Sequence, residues 1–301
     1  MNWFLIALFA PALWSVTNHI DKYLIEKHFK GTGTGSLIIF SSLIGLFVLP
    51  LILIFEQNIL RISVLQALLI IGSSIVSLIG ILFYLYALKR DEASVVVALF
   101  QTIPIFAYFL GFLVLKEILT MKQILASLLI IFGAISMSLD LTEKNPKFKT
   151  AVFVLMFLSS FLLALGSLIF KFVAIQTNFW ITAFWEYVGA ILLGIFFLTF
   201  IKSYRDQFLS YIKISKLPML SLNGLNEILN VIASLAMKFA TLLAPLALVL
   251  VVNGFQPFFV FAYGIFLTLF FPHLGTERLI KKHLVQKLTS ISIIFIGTYF
   301  L

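Results

Sequence analysis

Apolar runs of membrane-spanning length alternate with short polar breaks along the whole chain, and ten can be counted, at 2–21, 35–55, 65–88, 93–115, 122–140, 150–174, 178–201, 217–240, 243–271 and 285–301. A helix rising about 1.5 Å per residue needs on the order of 20 residues to cross a hydrocarbon layer of about 30 Å, so each run predicts a transmembrane helix. The breaks, such as EQNILR, KRDE and KEILTMK, leave no room for a soluble domain. Only 140–150 and 202–216 are longer than a turn. The second sets Tyr204, Phe208, Leu209, Tyr211 and Ile212 between charges, which predicts a short amphipathic helix in the membrane interface.

One run departs from the pattern. The stretch LPMLSLNGLNEILNVIASLAMKFA, 217–240, carries Asn223, Asn226, Glu227, Asn230 and Ser234. At about 100° per residue these fall within an arc of roughly 100° on one helix face, with Leu, Ile, Val and Ala opposite. A carboxylate or amide at mid-membrane costs on the order of 2–4 kcal/mol unless it faces protein, water or a ligand. The stripe therefore predicts an interior pocket or pathway, the alternative being amides that bridge neighbouring helices.

The two halves of the chain repeat one another. ALKRDEASVVVALFQTIPIFAYFLG from Ala87 answers ATLLAPLALVLVVNGFQPFFVFAYG from Ala240, with Pro104 matching Pro257. Each copy then reaches an acidic end, Glu117 or Glu277, and closes with an apolar run holding Gly133 or Gly297. Dividing the chain at Asn145-Pro146 gives a first repeat, 1–145, and a second, 146–301, with five spans each. An odd number of spans places the halves in opposite orientations, the inverted architecture of many carriers. The expected fold is thus all-α integral membrane, with ten transmembrane helices as two inverted five-helix repeats.

Composition agrees: 62% of residues are hydrophobic, 11% are charged, and the mean hydropathy is +1.14. The net charge of +9 comes from Lys and Arg scattered through short loops, so no nucleic-acid surface is implied. Cysteine is absent, which excludes disulfides and thiolate chemistry. The N-terminal run lacks a basic leader and a small-residue cleavage site and holds Pro11, so a retained helix is expected there rather than a signal peptide. If the ten runs alternate across a bilayer, Arg61, Lys116, Lys122, Lys171 and Lys238 fall on the side of both termini, five of 21 basic residues, and the other sixteen fall opposite. The positive-inside rule then places both termini outside.

Trp14, Asn18 and Lys22 in the first run, YLYAL ending at Leu88, Pro104 and the Glu117-Ile-Leu-Thr segment carry a resemblance to the drug/metabolite transporter superfamily, in its ten-helix EamA-like branch. Lys171 keeps the place of Lys22 in the second half, while Leu163 stands where a Trp is expected and four extra residues separate Glu277 from Gly297. The resemblance implies a secondary carrier of amino acids, nucleotide-linked sugars, other small metabolites or drugs. It also implies a central cavity lined by helices 1, 3, 4, 6, 8 and 9, and both termini inside, in conflict with the charge count.

Read from the residues, Trp14, Asn18, Asp21 and Lys22 lie near one helix face, with His19 beside them. Gln101 and Tyr108 flank Pro104, whose missing N–H is expected to free a carbonyl near position 100, and Asn253, Gln256 and Pro257 repeat the arrangement. The expected substrate ligands are Trp14, Asn18, Gln101, Tyr108, Asn223, Asn226, Glu227, Asn230, Asn253 and Gln256. Two carboxyls well inside spans, Glu227 and Glu186, are candidates for proton coupling, or for ion pairs with Lys171 or Lys238. Trp180, Trp185 and Tyr187 read as an interfacial aromatic belt, and Glu117 and Glu277 as caps or gate contacts. The Gly31–Gly35 stretch reads as a flexible turn, since it lacks a phosphate-loop ending, and His19, His28, His273 and His283 show no metal-ligand spacing. No catalytic residue, metal or cofactor is expected.

The function expected is a secondary transporter, an exporter of a small polar or amphipathic metabolite working by alternating access, monomeric and multi-pass in the cell membrane. The partners expected are a small-molecule substrate, membrane lipid and protons. The alternative is a non-transporting membrane protein, either a lipid-modifying enzyme or a receptor or scaffold.

Overall fold

A computed structural model describes residues 3–27, 34–90, 96, 99–138, 150–214, 217–270 and 281–300. The helices are α1 Trp3–Lys27, α2 Thr34–Leu43, α3 Gly45–Phe55, α4 Val64–Leu88, α5 Ile103–Leu110, α6 Met121–Ser138, α7 Thr150–Ala174, α8 Phe179–Phe200, α9 Lys202–Ile214, α10 Leu217–Thr241, α11 Leu246–Val251, α12 Gln256–Phe270 and α13 Lys281–Phe300. The described residues hold no strand. Hydrocarbon offers no partner for backbone N–H and C=O groups, which helices satisfy internally.

Seven stretches are long and apolar enough to cross a membrane: Trp3–Asp21, Thr34–Phe55, Val64–Leu88, Thr150–Ala174, Phe179–Phe200, Leu217–Thr241 and Leu246–Phe270. Phe100–Leu115, Met121–Ser136 and Leu288–Phe300 are shorter apolar helices. The molecule is an all-helical, multi-pass membrane protein.

Helix starts carry the caps that their sequences encode. Ser63 and Gln66 form a reciprocal capping box at α4, Thr120 and Gln123 do the same at α6, and the Asn178 side chain accepts the Trp180 N–H at 2.7 Å to open α8. Thr34 and Gly35 of the glycine-rich stretch open α2 rather than forming a free turn, because the Gly35 N–H donates to Gln207 Oε1 on α9 at 3.0 Å. Residues 31–33 lie outside the described part.

The segment 202–214 is helical, and its apolar side is held by protein. Phe208 and Tyr211 are buried against Phe40 of α2, and the Tyr204 and Tyr86 hydroxyls meet at 2.5 Å. Burial, followed by that second phenol, pushes the Tyr204 hydroxyl above its ordinary pKa. Leu209 and Ile212 remain exposed on the other flank.

Three helix pairs dominate the packing, α4 on α7, α6 on α13 and α1 on α10. The first crosses on small residues: Ser73 Oγ donates to the Gly166 carbonyl at 3.0 Å and Ser159 Oγ to the Gly80 carbonyl at 2.8 Å. Without a hydrophobic drive between helices in lipid, such close small-residue crossings and interhelical hydrogen bonds hold a bundle. Many Phe side chains, including Phe47, Phe109, Phe132 and Phe200, lie on the outer surface, where lipid covers them.

Candidate functional site

α1 and α10 have the lowest mean hydropathies of the seven spans, 1.3 and 1.2, and the smallest buried shares, 28% and 22%. They pack on each other. Even so, the polar side chains Ser15 of α1 and Asn223, Asn226 and Glu227 of α10 are buried rather than turned to lipid.

On α10, Asn223, Asn226 and Glu227 are buried at 0%, 1% and 4% exposure. Asn226 Nδ2 donates to Asp21 Oδ1 of α1 at 2.7 Å, and Ser41 Oγ of α2 donates to Glu227 Oε1 at 2.8 Å. The remaining oxygen of Asn226, both polar atoms of Asn223 and Nδ2 of Asn18 are buried without a hydrogen-bond partner. A buried amide left unpaired costs on the order of 1–3 kcal/mol, and such groups mark places where a ligand or water completes the bonding. Asn230 and Ser234, further along the stripe, are half-buried, as are Trp14 and Asn18 on α1. Lys22 belongs to α1, but its side chain lies outside the described part.

A second polar group sits where α5 and α12 begin. Three-residue-per-turn helices at Phe100–Thr102 and Val252–Phe255 precede Pro104 and Pro257, because neither proline supplies the N–H that a regular turn needs. Gln101 Nε2 reaches the Asn253 carbonyl at 3.5 Å, while Gln101 Oε1 and Asn253 Oδ1, both buried, have no partner. Ser15 Oγ donates to the Gln256 carbonyl at 3.1 Å, and His19 Nε2 lies 3.1 Å from the Val260 carbonyl, so α1 touches both polar groups.

The expected free carbonyl beside Gln101 is not found. The Phe100 carbonyl accepts the Ile103 N–H, and the Leu99 carbonyl accepts Thr102 Oγ1 at 2.8 Å and Ser160 Oγ at 3.4 Å. The tight turn consumes what the proline released. Tyr108 is half-buried and packs with the apolar core around α5 and α11.

The other two intramembrane carboxylates are ion-paired. Glu186 Oε2 accepts from Lys238 Nζ at 2.6 Å, with that ammonium 5.3 Å from the Phe170 ring centre. Glu117 accepts from Lys171 Nζ through one oxygen and from the Leu246 N–H at 2.7 Å through the other, while Lys171 also donates to the Ala244 carbonyl at 2.7 Å. Lys116, at φ 57°, turns the chain so that the Glu117 N–H bonds back to the Gly111 carbonyl. Glu117 therefore ties the end of the segment after α5 to the end of α7 and the start of α11. Glu277 lies outside the described residues.

Tyr187 does not join an interfacial belt, since it is buried. Trp180 stacks on Phe55, and Trp185 Nε1 donates to the Ile59 carbonyl at 2.9 Å. An open polar recess at that end is lined by Glu56, Asn58, Arg61, Gln66, Gln176 and Asn178, and none of the expected substrate ligands faces it.

Sequence reasoning missed Ser41, the donor to Glu227, whose SS pair in an apolar run was the available signal. It also kept Asp21 out of the ligand set, although its spacing from Asn18 and Trp14 put it on the right face. Among the described residues no cluster of three or more His, Cys, Asp or Glu offers a metal site.

The EamA-like transporter family matches residues 1–139. The chain belongs to that family. It is a transporter of the drug/metabolite type, with a small-molecule substrate and a lipid environment, multi-pass in the cell membrane. An uncharacterized protein of Methanocaldococcus jannaschii is 31% identical over 138 residues, which cover 45% of this chain and 96% of that relative. One solved crystal structure matches in fold with a TM-score of 0.69 over 99% of this chain and 95% of its own, at 14% identity.

Proposed function

We propose that this EamA-like protein is a secondary carrier that exports a small polar or amphipathic metabolite by alternating the access of a central site between two inverted halves, 1–145 and 146–301. The buried, incompletely bonded face of α10, Asn223, Asn226 and Glu227 turned toward α1, is the observation that carries this reading.

Several features support the two-fold relation between halves. α1 on α10 is answered by α7 on α4, and α1 on α12 by α7 on α5. Both proline-preceding turns fall at equivalent places, Phe100–Thr102 and Val252–Phe255. The archaeal relative is about half this chain's length, since 138 residues make up 96% of it.

The two ion pairs, Glu117 with Lys171 and Glu186 with Lys238, hold one end of the bundle shut. Breaking them while remaking equivalent contacts at the other end is the motion an inverted repeat permits. Glu227, without an ion pair among the described residues, is the carboxyl free to exchange a proton during that motion. The amides of Asn18, Gln101, Asn223, Asn226 and Asn253 then hydrogen-bond the solute.

The test is reconstitution of the purified protein in proteoliposomes with metabolite mixtures on one side and mass-spectrometric readout on the other. Saturable, protein-dependent flux that falls in Asn226→Leu supports the reading. Absence of flux for every metabolite class in either direction, from protein that still melts cooperatively, refutes it.

A further inference from the structure

α10 lies along α1, but it makes no comparably close packing with α2 or α8, whereas its counterpart α4 packs on both α7 and α8. Among the described residues, two side-chain hydrogen bonds bridge the gap beside α10, Ser41 to Glu227 and Lys238 to Glu186. Lys238 is spent on Glu186 near one end. Toward the other end the gap holds Asp21, Asn226 and Glu227.

The bonding at this end is one-sided. Asp21 takes one hydrogen from Asn226, and Glu227 takes one from Ser41. Among the described residues neither carboxyl has a Lys, Arg or His partner. Because Asn226 turns its NH2 to Asp21, its oxygen is left beside the same carboxyl, buried and with no donor. Asn223, one turn earlier on the same face, is fully buried with its oxygen and its NH2 both unfilled. Every unfilled position on Asp21, Asn226 and Glu227 themselves therefore accepts hydrogen, and two of these three groups are carboxyls. An anion placed against these three would meet two carboxyls, since the unfilled donors, the NH2 groups of Asn223 and Asn18, lie a turn away on α10 and α1. An ammonium group carries three donors and the charge that buried carboxylates lack. One turn deeper on α1, the unpartnered Nδ2 of Asn18 offers a donor to a second polar group of the same guest.

We propose that the α1–α10 seam is a cation site and that the transported solute is a small organic amine, carried protonated, with its ammonium held by Asp21, Glu227 and the oxygen of Asn226. The proposal rests on the carrier reading above and adds the charge class of the cargo.

Ligand-induced thermal stabilisation and proteoliposome uptake test it, with ethanolamine, putrescine, spermidine and tetraethylammonium as cationic probes, and with butanediol and succinate as neutral and anionic controls. Cationic probes are expected to raise the melting temperature and to enter vesicles. Glu227→Gln, close in size to the native residue, is expected to weaken their apparent affinity at least about tenfold, as is Asp21→Asn, while Asn226→Asp, which adds an acceptor, retains it. Melting without probe shows that each variant is folded. Equal affinity in both carboxyl variants overturns the cation site. So does stabilisation by succinate or butanediol without any by the amines, and that outcome leaves the carrier reading standing. If no probe binds, and no metabolite class is moved in the broader flux assay, both readings fail.

Discussion

Gly133 lies directly against Ile294: a Cβ built on Gly133 would come 2.7 Å from Ile294 Cγ1, and one built on Gly297 would come 2.8 Å from Ile130 Cγ1. The two contacts are reciprocal, each helix offering its glycine to the other's isoleucine. Ile130 and Ile294 are both almost completely buried, so neither can swing away. Gly133→Val is therefore expected to destabilise the protein by about 1–3 kcal/mol through overpacking. Gly72, with nothing within 4 Å of its Cβ position, is the control, and Gly72→Ala should be neutral or slightly stabilising. Melting curves in detergent compare the two, and equal stability of both variants would contradict the close seam.

The Lys171–Glu117 pair gives a second prediction. Both side chains are largely buried, and Glu117 also holds the Leu246 N–H that opens α11. Lys171→Met leaves a buried carboxylate unpaired, a change that typically costs about 3–5 kcal/mol. Neutralising both ends, Lys171→Met with Glu117→Gln, should recover much of that loss, because the glutamine oxygen still accepts the Leu246 N–H. A double-mutant cycle measured by thermal unfolding reads the coupling. A coupling near zero would remove the pair from its proposed place as a closed-end latch.

Two buried carboxyls, Glu186 of α8 and Glu227 of α10, are the candidates for moving a proton, with Glu227 favoured for the amides that share its face, and the structure gives them different neighbours. Glu186 is paired with Lys238 at 2.6 Å, while Glu227 meets the Ser41 hydroxyl. Glu227→Gln is expected to abolish pH-dependent transport in a protein that remains folded. Glu186→Gln should lower stability and leave the pH dependence in place. Uptake measured across a pH series for both variants decides between them, and the reverse pattern would assign the proton to Glu186.

What could be read from the chain beforehand follows from the kind of physics involved. The helical runs were legible because hydrocarbon leaves a helix as the economical way to satisfy each backbone group. The stripe Asn223, Asn226 and Glu227 was legible because three polar groups at helical spacing must share a face, and all three are buried. Partners across helices were harder to read. Nothing local to FSSL says that Ser41 will reach Glu227, since that bond spans 186 positions and depends on the tilt of α2. Likewise Pro104 predicts a lost N–H, but only the backbone geometry shows the Ile103 N–H taking the Phe100 carbonyl. The choice between ion pair and proton carrier at Glu186 rested on which lysine came close, and spacing alone left Lys171 and Lys238 open.

Orientation gives the last prediction. Glu117, Lys171 and Leu246 meet in one node, which puts the end of the segment after α5, the end of α7 and the start of α11 on one side of the bundle. If the ten apolar runs alternate across the bilayer, that side lies with both termini and holds five of the 21 Lys and Arg residues, with Lys171 and Lys238 of those five used in ion pairs. The opposite side holds the other sixteen, among them Lys202, Arg205 and Lys213 on α9, against the α2 end of the bundle. Anionic lipid and the insertion machinery retain basic loops in the cytoplasm, so the α9 side should face inward. Alkaline phosphatase fused after Leu301 is then expected to be active and green fluorescent protein at the same place dark. Replacing Lys202, Arg205 and Lys213 by Gln should weaken that preference and mix the two signals. A fluorescent, phosphatase-inactive fusion in the unaltered chain would place both termini inside, as its resemblance to the family implies, and would show that the charge count does not set the topology.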